Sequence, residues 1–248
     1  MPKSLESRPD KQRCASCPVR ERALYQVVPE EYINDAESNR TDQYTLPARR
    51  HLYEEGAPAN MAYTLFDGWM LLYRAHSDGG RQGLRIALPG DFLGYMPPGE
   101  TSLHHSALAI TDSILCGFKQ DDLHRMLDTH AGLASHVTRI QARYMASCQS
   151  AMLGLGRKSA EQRIAYLIAE LYYRLHNRQQ LGADDSIMPF PITQEMLGDM
   201  TGLTPVHTNR VIRKLREDGI FTAERHRLVI HDLPRLLEIG EFTNLNVE

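Results

Sequence analysis

The absences in this sequence narrow it first. No uninterrupted apolar run is longer than a few residues, whereas a membrane span needs about twenty, so no transmembrane helix is expected. The opening stretch, MPKSLESRPDKQRC, has basic residues but no apolar core behind them. No signal peptide is expected, and the cytosol is the expected compartment. Tryptophan occurs once, and the four cysteines stand at 14, 17, 116 and 148. In a reducing cytosol a disulfide framework is not expected, and clustered thiols point to metal or redox chemistry. There is no Gly-rich phosphate loop, no HExxH, no nucleophile elbow and no carboxylate pair with a supporting histidine. An enzyme is not expected.

A large excess of one charge is also missing. Lys+Arg number 28 against 31 Asp+Glu, a net −3, so the whole chain does not advertise a nucleic-acid partner. Locally the balance changes. Between Pro205 and Arg227 six basic residues (Arg210, Arg213, Lys214, Arg216, Arg225, Arg227) face three acids (Glu217, Asp218, Glu224). A phosphate backbone can sit on such an island, although a charge run alone is usually a solvated helix face.

At 248 residues, 42% of them hydrophobic, the chain can fill two domains. Residues 1–40 are polar and mixed, with Cys14-Ala-Ser-Cys17-Pro18 followed by a short helix expected over Arg20–Val28. From 41 to 119, short runs (Tyr63–Phe66, Met70–Tyr73, Leu84–Leu88, Ser113–Phe118) alternate with turn signals such as Asp67-Gly68 and Pro89-Gly90-Asp91. That rhythm predicts an all-β roll or barrel. From 120 to 156 the period becomes helical. Leu133, Val137, Ile140, Tyr144, Ser147 and Ala151 recur at spacings of three and four, which predicts one long amphipathic helix. Two readings of its apolar stripe stand open: a dimer seam, with Cys148 beside it, or packing on its own domain. Ser159-Ala-Glu-Gln162 is a capping-box pattern opening a further helix with Ile164, Leu167, Ile168 and Leu171 inward.

The densest motif follows, within the segment 157–248. Thr193 can cap a helix over Gln194–Met200, Gly198 is small where two helices cross, and Gly202 suits a left-handed turn. Thr204 is a good N-cap and Pro205 suits the first helical position. The second helix is predicted from Pro205 to about Asp218, ending at Gly219, with Thr208, Val211, Ile212 and Leu215 inward. Val206, His207, Asn209, Arg210, Arg213 and Lys214 then face solvent. Ile220–Glu224 and Leu228–Ile230 make a hairpin, or wing. A winged helix-turn-helix puts the N-terminal end of its second helix into the major groove. Arg210 can bond guanine bidentately, Asn209 a base edge or phosphate, and Arg213 and Lys214 suit phosphates. The alternative of another class is a ligand-binding module with no DNA role.

A β-roll, a long helix and a winged helix-turn-helix in that order, an α+β chain, resemble the Crp/Fnr family of bacterial transcription regulators over nearly the whole length. The likeness is carried by Leu88-Pro-Gly-Asp-Phe-Leu-Gly94, Glu161-Gln-Arg-Ile164 and Gly202-Leu-Thr-Pro-Val-His-Thr-Asn-Arg210. The resemblance implies an N-terminal roll of the cyclic-nucleotide-binding jelly-roll type and a long dimerisation helix. It also implies a homodimer on a partly palindromic double-stranded site, an effector bound by the N-terminal domain, and RNA polymerase as a partner if the protein activates. There are two departures. Where cyclic-nucleotide-binding relatives hold the phosphate with Arg-Ser or Arg-Thr, this chain reads His105-Ser106; without the guanidinium fork cyclic AMP is not expected. In the reader, Val206 stands where many relatives have glutamate, so the usual half-site is not assumed.

Oxygen-sensing members of that family hold an iron–sulfur cluster with cysteines near the N-terminus and one more at the end of the roll. Cys14, Cys17 and Cys116 match those places, and thiolates suit such a cluster. A further cysteine expected about eight residues after the pair is replaced by Tyr25. Glu21, Tyr25 or another carboxylate are candidates for a fourth ligand. Three readings remain open: a labile cluster, thiol redox without metal (including a bridge at Cys148), or cysteines unrelated to the effector. The last would leave room for haem on His51, His76, His104 or His105. Taken alone, Cys148 reads as a small buried residue.

Overall fold

A computed structural model describes residues 5–182 and 184–243; the outermost residues of the first and last expected segments lie outside the described residues. By contact the chain divides into two compact units, Met1–Arg74 with Arg85–Tyr144, and Ala75–Leu84 with Met145–Glu248.

The first unit opens with β1 (Glu6–Ser7), then 3-10 turns at Cys14–Ser16, Arg20–Arg22, Leu24–Val27 and Glu30–Tyr32, and α1 (Ile33–Ser38). The short helix expected over Arg20–Val28 is thus two 3-10 turns. They break at Ala23, whose backbone is extended (φ −110°, ψ −177°). The strands are β2 (Asp42–Leu46), β3 (His51–Tyr53), β4 (Met61–Asp67), β5 (Met70–Ala75), β6 (Arg81–Ala87), β7 (Phe92–Leu93), β8 (Ser106–Ala109) and β9 (Ser113–Lys119). They form two sheets, ordered β1-β2-β9-β4-β7 and β3-β8-β5-β6. Leu65, Leu71, Ile86, Leu88 and Leu115 are fully buried among them. The roll read from the sequence is present. Asp91 ties its diagnostic turn together, accepting from the Leu88 amide at 2.9 Å and pairing with Arg85 at 3.1 Å.

The long helix is corrected. The structure places α2 at Gln120–Thr129 and α3 at Ala131–Arg157, separated at His130 (φ −126°, ψ 85°). The Thr129 hydroxyl turns back onto the carbonyls of Arg125 and Met126, a local bond that competes with helix continuation. Of the two open readings of the stripe, packing on its own domain describes Leu133, Val137 and Ile140, which are buried in one core cluster with Leu24, Tyr25, Ile33, Phe118 and Leu123. Further along, Tyr144, Ser147 and Ala151 are half-buried and Cys148 is exposed, not buried. The apolar residues open to solvent there are Met145 (64% exposed), Met152 (71%) and Leu153 (59%).

The second unit contains α4 (Ala160–Asn177), β10 (Ile187–Pro189), α5 (Gln194–Thr201), α6 (Pro205–Glu217), β11 (Phe221–Glu224), β12 (Arg227–Ile230) and α7 (Leu233–Gly240). The capping box is formed: Gln162 N–H donates to Ser159 Oγ at 3.2 Å, and Ser159 N–H to Gln162 Oε1 at 2.8 Å. Ile164, Leu167, Ile168 and Leu171 are buried as expected. β10, β12 and β11 make a small antiparallel sheet. Among the described residues no helix is long and apolar enough to cross a membrane.

Candidate nucleic-acid interface and cysteine pocket

In the second unit, α5 and α6 form the helix-turn-helix. Thr193 caps α5 by accepting from Met196 N–H at 3.2 Å, and Thr204 caps α6 by accepting from His207 N–H at 3.3 Å. Gly202 takes the left-handed conformation (φ +64°) between them. A side chain at Gly198 would stand 2.7 Å from the Leu203 carbonyl oxygen, so only glycine allows the turn to close over α5. Thr208, Val211 and Leu215 are buried, Ile212 and His207 are half-buried, and Val206, Asn209, Arg210, Arg213 and Lys214 are exposed. Apart from the half-burial of His207, this matches the face read from the sequence.

The exposed face is not electrostatically uniform. Asn209 Nδ2 donates to Gln194 Oε1 at 3.0 Å. Arg213 pairs with Glu217 at 2.8 Å. Lys214 pairs with Glu161 at 2.7 Å and Asp218 at 3.3 Å; the bond to Glu161 first, then that to Asp218, raises its pKa. Arg210 is exposed with no ion pair or hydrogen bond among the described residues. The wing is a two-residue hairpin at Arg225-His226, with Glu224 opposite Arg227. Both turn residues have positive φ, +45° and +66°. Sequence reasoning missed Gln194 and Glu161, because each meets its partner through the tertiary fold.

In the first unit, Cys14, Cys17 and Cys116 line one small apolar pocket with Val19, Leu24, Tyr25, Arg40, Thr64 and Phe118. β9 carries Cys116 between Gln43 and Thr64 of its neighbours β2 and β4. The 3-10 turn at Cys14–Ser16 brings the paired cysteines to it; Glu37 accepts from the Cys14 amide at 3.1 Å. The buried Gln43 amide donates to Cys116 Sγ at 3.4 Å, and Arg40 approaches Cys14 Sγ at 3.8 Å. Burial pushes the Cys14 thiol up to about 12, against the pull of Arg40. Burial raises the Cys17 and Cys116 thiols as well.

The other candidate ligands are distributed unevenly. Tyr25 lines the pocket, but its hydroxyl donates to Ala36 O at 2.6 Å. Glu21 is exposed and outside the lining. Thr64 Oγ1 is buried with no partner among the described residues. Nothing in the sequence marked Thr64; strand register alone puts it beside Cys116. Among the described residues no group of three His, Cys, Asp or Glu is arranged for a metal ion. The thiol donor set, the apolar lining and the donors aimed at sulfur suit an iron–sulfur cluster. The free space, about 30 Å³, is that of one water. A cluster is larger than that, so holding one would require the lining to move apart.

At the place matching the cyclic-phosphate seat, His105 Nε2 bonds Tyr53 Oη at 3.0 Å, and Ser106 Oγ accepts from the Glu55 amide at 3.0 Å. Burial lowers the His105 pKa. His51 bonds the Tyr73 hydroxyl at 2.8 Å.

Two family models match in the order of the two units: a cyclic nucleotide-binding domain over residues 44–130 and a Crp-like helix-turn-helix domain over residues 162–239. The chain belongs to the Crp/Fnr family of transcription regulators. Members of the family are regulators, not enzymes. This Crp/Fnr chain is 28% identical over 229 residues to the transcriptional activator protein FnrL of Cereibacter sphaeroides, spanning 91% of each. It is 31% identical over 157 residues to the nitrogen fixation regulation protein FixK of Bradyrhizobium diazoefficiens, 63% of this chain and 64% of that one. Among solved structures it is similar to FixK2 from Bradyrhizobium japonicum, with a TM-score of 0.71 and 26% identity over 79% of this chain and 96% of the other. The helix-turn-helix accordingly marks a DNA-binding protein.

Proposed function

We propose that this Crp/Fnr protein is a cytoplasmic, homodimeric, sequence-specific regulator that responds to oxygen or redox state through an iron–sulfur cluster held by Cys14, Cys17 and Cys116. One observation carries the reading: cysteines about a hundred positions apart in the chain line a single pocket, with Gln43 and Arg40 directed at their sulfurs. Hydrogen bonds to sulfur tune such centres. A cluster there would supply an oxygen-reactive redox centre. Thr64, the one lining hydroxyl without a partner among the described residues, is our choice for the oxygen that completes the site.

The chain's own contacts offer a route outward. Ala23, in the turn region beside the cysteines, receives a hydrogen bond from His136 of α3 at 3.2 Å. Withdrawal of the Cys14–Cys17 turn would act on α3 through that bond and the shared core. Farther along α3, Met145, Cys148 and Met152 at helical spacing form an exposed stripe, our choice for the dimer seam.

At the DNA, Val206, His207, Asn209 and Arg210 face base edges. Arg213, Lys214, Thr193 and Thr204 stand nearer phosphates. His105, half-buried and with its pKa lowered, does not replace an arginine fork, so cyclic AMP is not the effector. RNA polymerase is a partner if the protein activates transcription; the relative FnrL is named a transcriptional activator.

Anaerobic purification tests the reading. Iron, sulfide and visible absorption are expected, lost on substituting Cys14, Cys17 or Cys116 by serine and kept with Cys148→Ser. Protein free of iron and sulfide when made without oxygen would remove the cluster.

A further inference from the structure

We propose that Val206 is a specificity residue that reads the 5-methyl group of thymine in each half-site. The inference rests on the DNA-binding role of the helix-turn-helix and goes beyond it to one base. Val206 is 82% exposed. It is the second residue of α6, after the Thr204 cap and Pro205.

A single exposed valine needs no explanation on an ordinary surface. This one stands in the row that faces a base edge. Val206, Asn209, Arg210 and Arg213 fall at i, i+3, i+4 and i+7, and all four are exposed, so they share one face of α6. The N-terminal end of that face is the part that enters the major groove.

The chemistry then selects the partner. Valine has neither donor nor acceptor, so it cannot discriminate among the groove's hydrogen-bonding groups. The groove's one apolar feature is the thymine methyl. A β-branched side chain also brings little rotamer freedom to lose, since its helical χ1 is already restricted. Cytosine carries no such methyl, so against Val206 it offers no apolar contact of that size. The same valine therefore favours thymine over cytosine.

The neighbours support a division of labour. Asn209 is positioned by Gln194 at 3.0 Å, and Arg210 is free of protein partners among the described residues. Both remain able to make polar contacts on either side of the methyl. Because Val206 is 82% exposed, substituting it leaves α6 intact.

The test begins with selection of binding sites from a random double-stranded library, using the full chain prepared with and without oxygen. Each thymine of the selected half-site is then replaced in turn by deoxyuridine, which removes only the methyl. We expect one thymine per half-site whose replacement weakens wild-type binding about fourfold, the worth of one buried methyl-sized group. Val206→Ala should bind the thymine and deoxyuridine sites equally. Val206→Glu should shift the selected base at that position toward cytosine, whose amino group a carboxylate accepts. Wild-type affinity unchanged at every deoxyuridine position overturns the proposal, as does an equal loss in wild type and Val206→Ala. Either result leaves DNA binding intact; a library from which neither preparation enriches any sequence removes the DNA-binding reading itself.

Discussion

The Tyr144 hydroxyl satisfies both backbone groups of Phe92, accepting from its amide at 2.9 Å and donating to its carbonyl at 3.0 Å. Phe92 lies in β7, at the edge of the five-stranded sheet, where N–H and C=O otherwise point outward unpaired. The Arg85 guanidinium lies over the same tyrosine ring, 3.8 Å from its centre. One side chain of α3 thereby closes the roll's edge beside the diagnostic turn.

Tyr144→Phe keeps the ring under Arg85 and deletes only the hydroxyl. It should destabilise the roll by about 1–3 kcal/mol, the cost of leaving such groups unpaired. Urea unfolding followed by fluorescence of Trp69, buried in the roll, checks this. An unchanged midpoint would mean that water replaces the hydroxyl without penalty.

His136 is buried, and burial lowers its pKa. Its Nε2 faces Ala23 O, and Arg139 lies at 3.5 Å from Nδ1, with Arg143 adding a second repelling cation. As pH falls the unfolded chain takes up the proton first, near the ordinary histidine value of about 6.5. The stability from neutral His136 is therefore present above that value and lost as pH falls toward the lower folded pKa. Wild type should lose more stability between pH 7.5 and 5.5 than His136→Gln; parallel losses, read on Trp69, would show that other groups carry the pH response.

Arg210 and Lys214 should fail differently. Arg210→Ala should lose about 1–3 kcal/mol of discrimination at one base, whereas Lys214→Ala should weaken all sites alike and reduce the salt slope by about one. Because Glu161 holds Lys214 in the free chain, Glu161→Gln should strengthen DNA binding. Band-shift titrations across salt concentrations separate the three.

The wing tip trades stability for charge. Arg225 and His226 both have positive φ, where side chains cost about 1–2 kcal/mol per residue and Asn-Gly is preferred. Replacing the pair with Asn-Gly should raise the thermal midpoint of this unit while lowering DNA affinity and its salt dependence. If affinity holds, the wing tip does not touch phosphate.

Thr64→Val removes a buried hydroxyl that has no partner among the described residues. Metal-free protein should become more stable by about 1–3 kcal/mol, the desolvation cost of such a group, while anaerobically loaded protein should lose iron faster in air. Unchanged iron retention would take Thr64 out of the site.

Much of the reader was legible because helix-turn-helix signals are local. The Thr204 cap, Pro205, Gly202 and the buried triplet Thr208, Val211 and Leu215 sit within one turn or two of what they control. Their periodicity specifies a face without needing a partner. The long-helix segment shows the limit. Periodicity marks Leu133, Val137 and Ile140 as one apolar face but cannot say against what it packs, and the roll's own core takes it.

By itself the sequence determined the family, the order of roll, helices and winged reader, and, His207 apart, the face of α6 turned to solvent. Only the tertiary structure decided that Cys14 and Cys17 meet Cys116, that Thr64 and Gln43 flank it, that Glu161 restrains Lys214, and that Tyr144 seals the edge at Phe92. The reason is range. Caps, turns and helical faces are fixed by residues a few positions apart, whereas a pocket or an ion pair between distant elements exists only after sheet register and packing have been chosen.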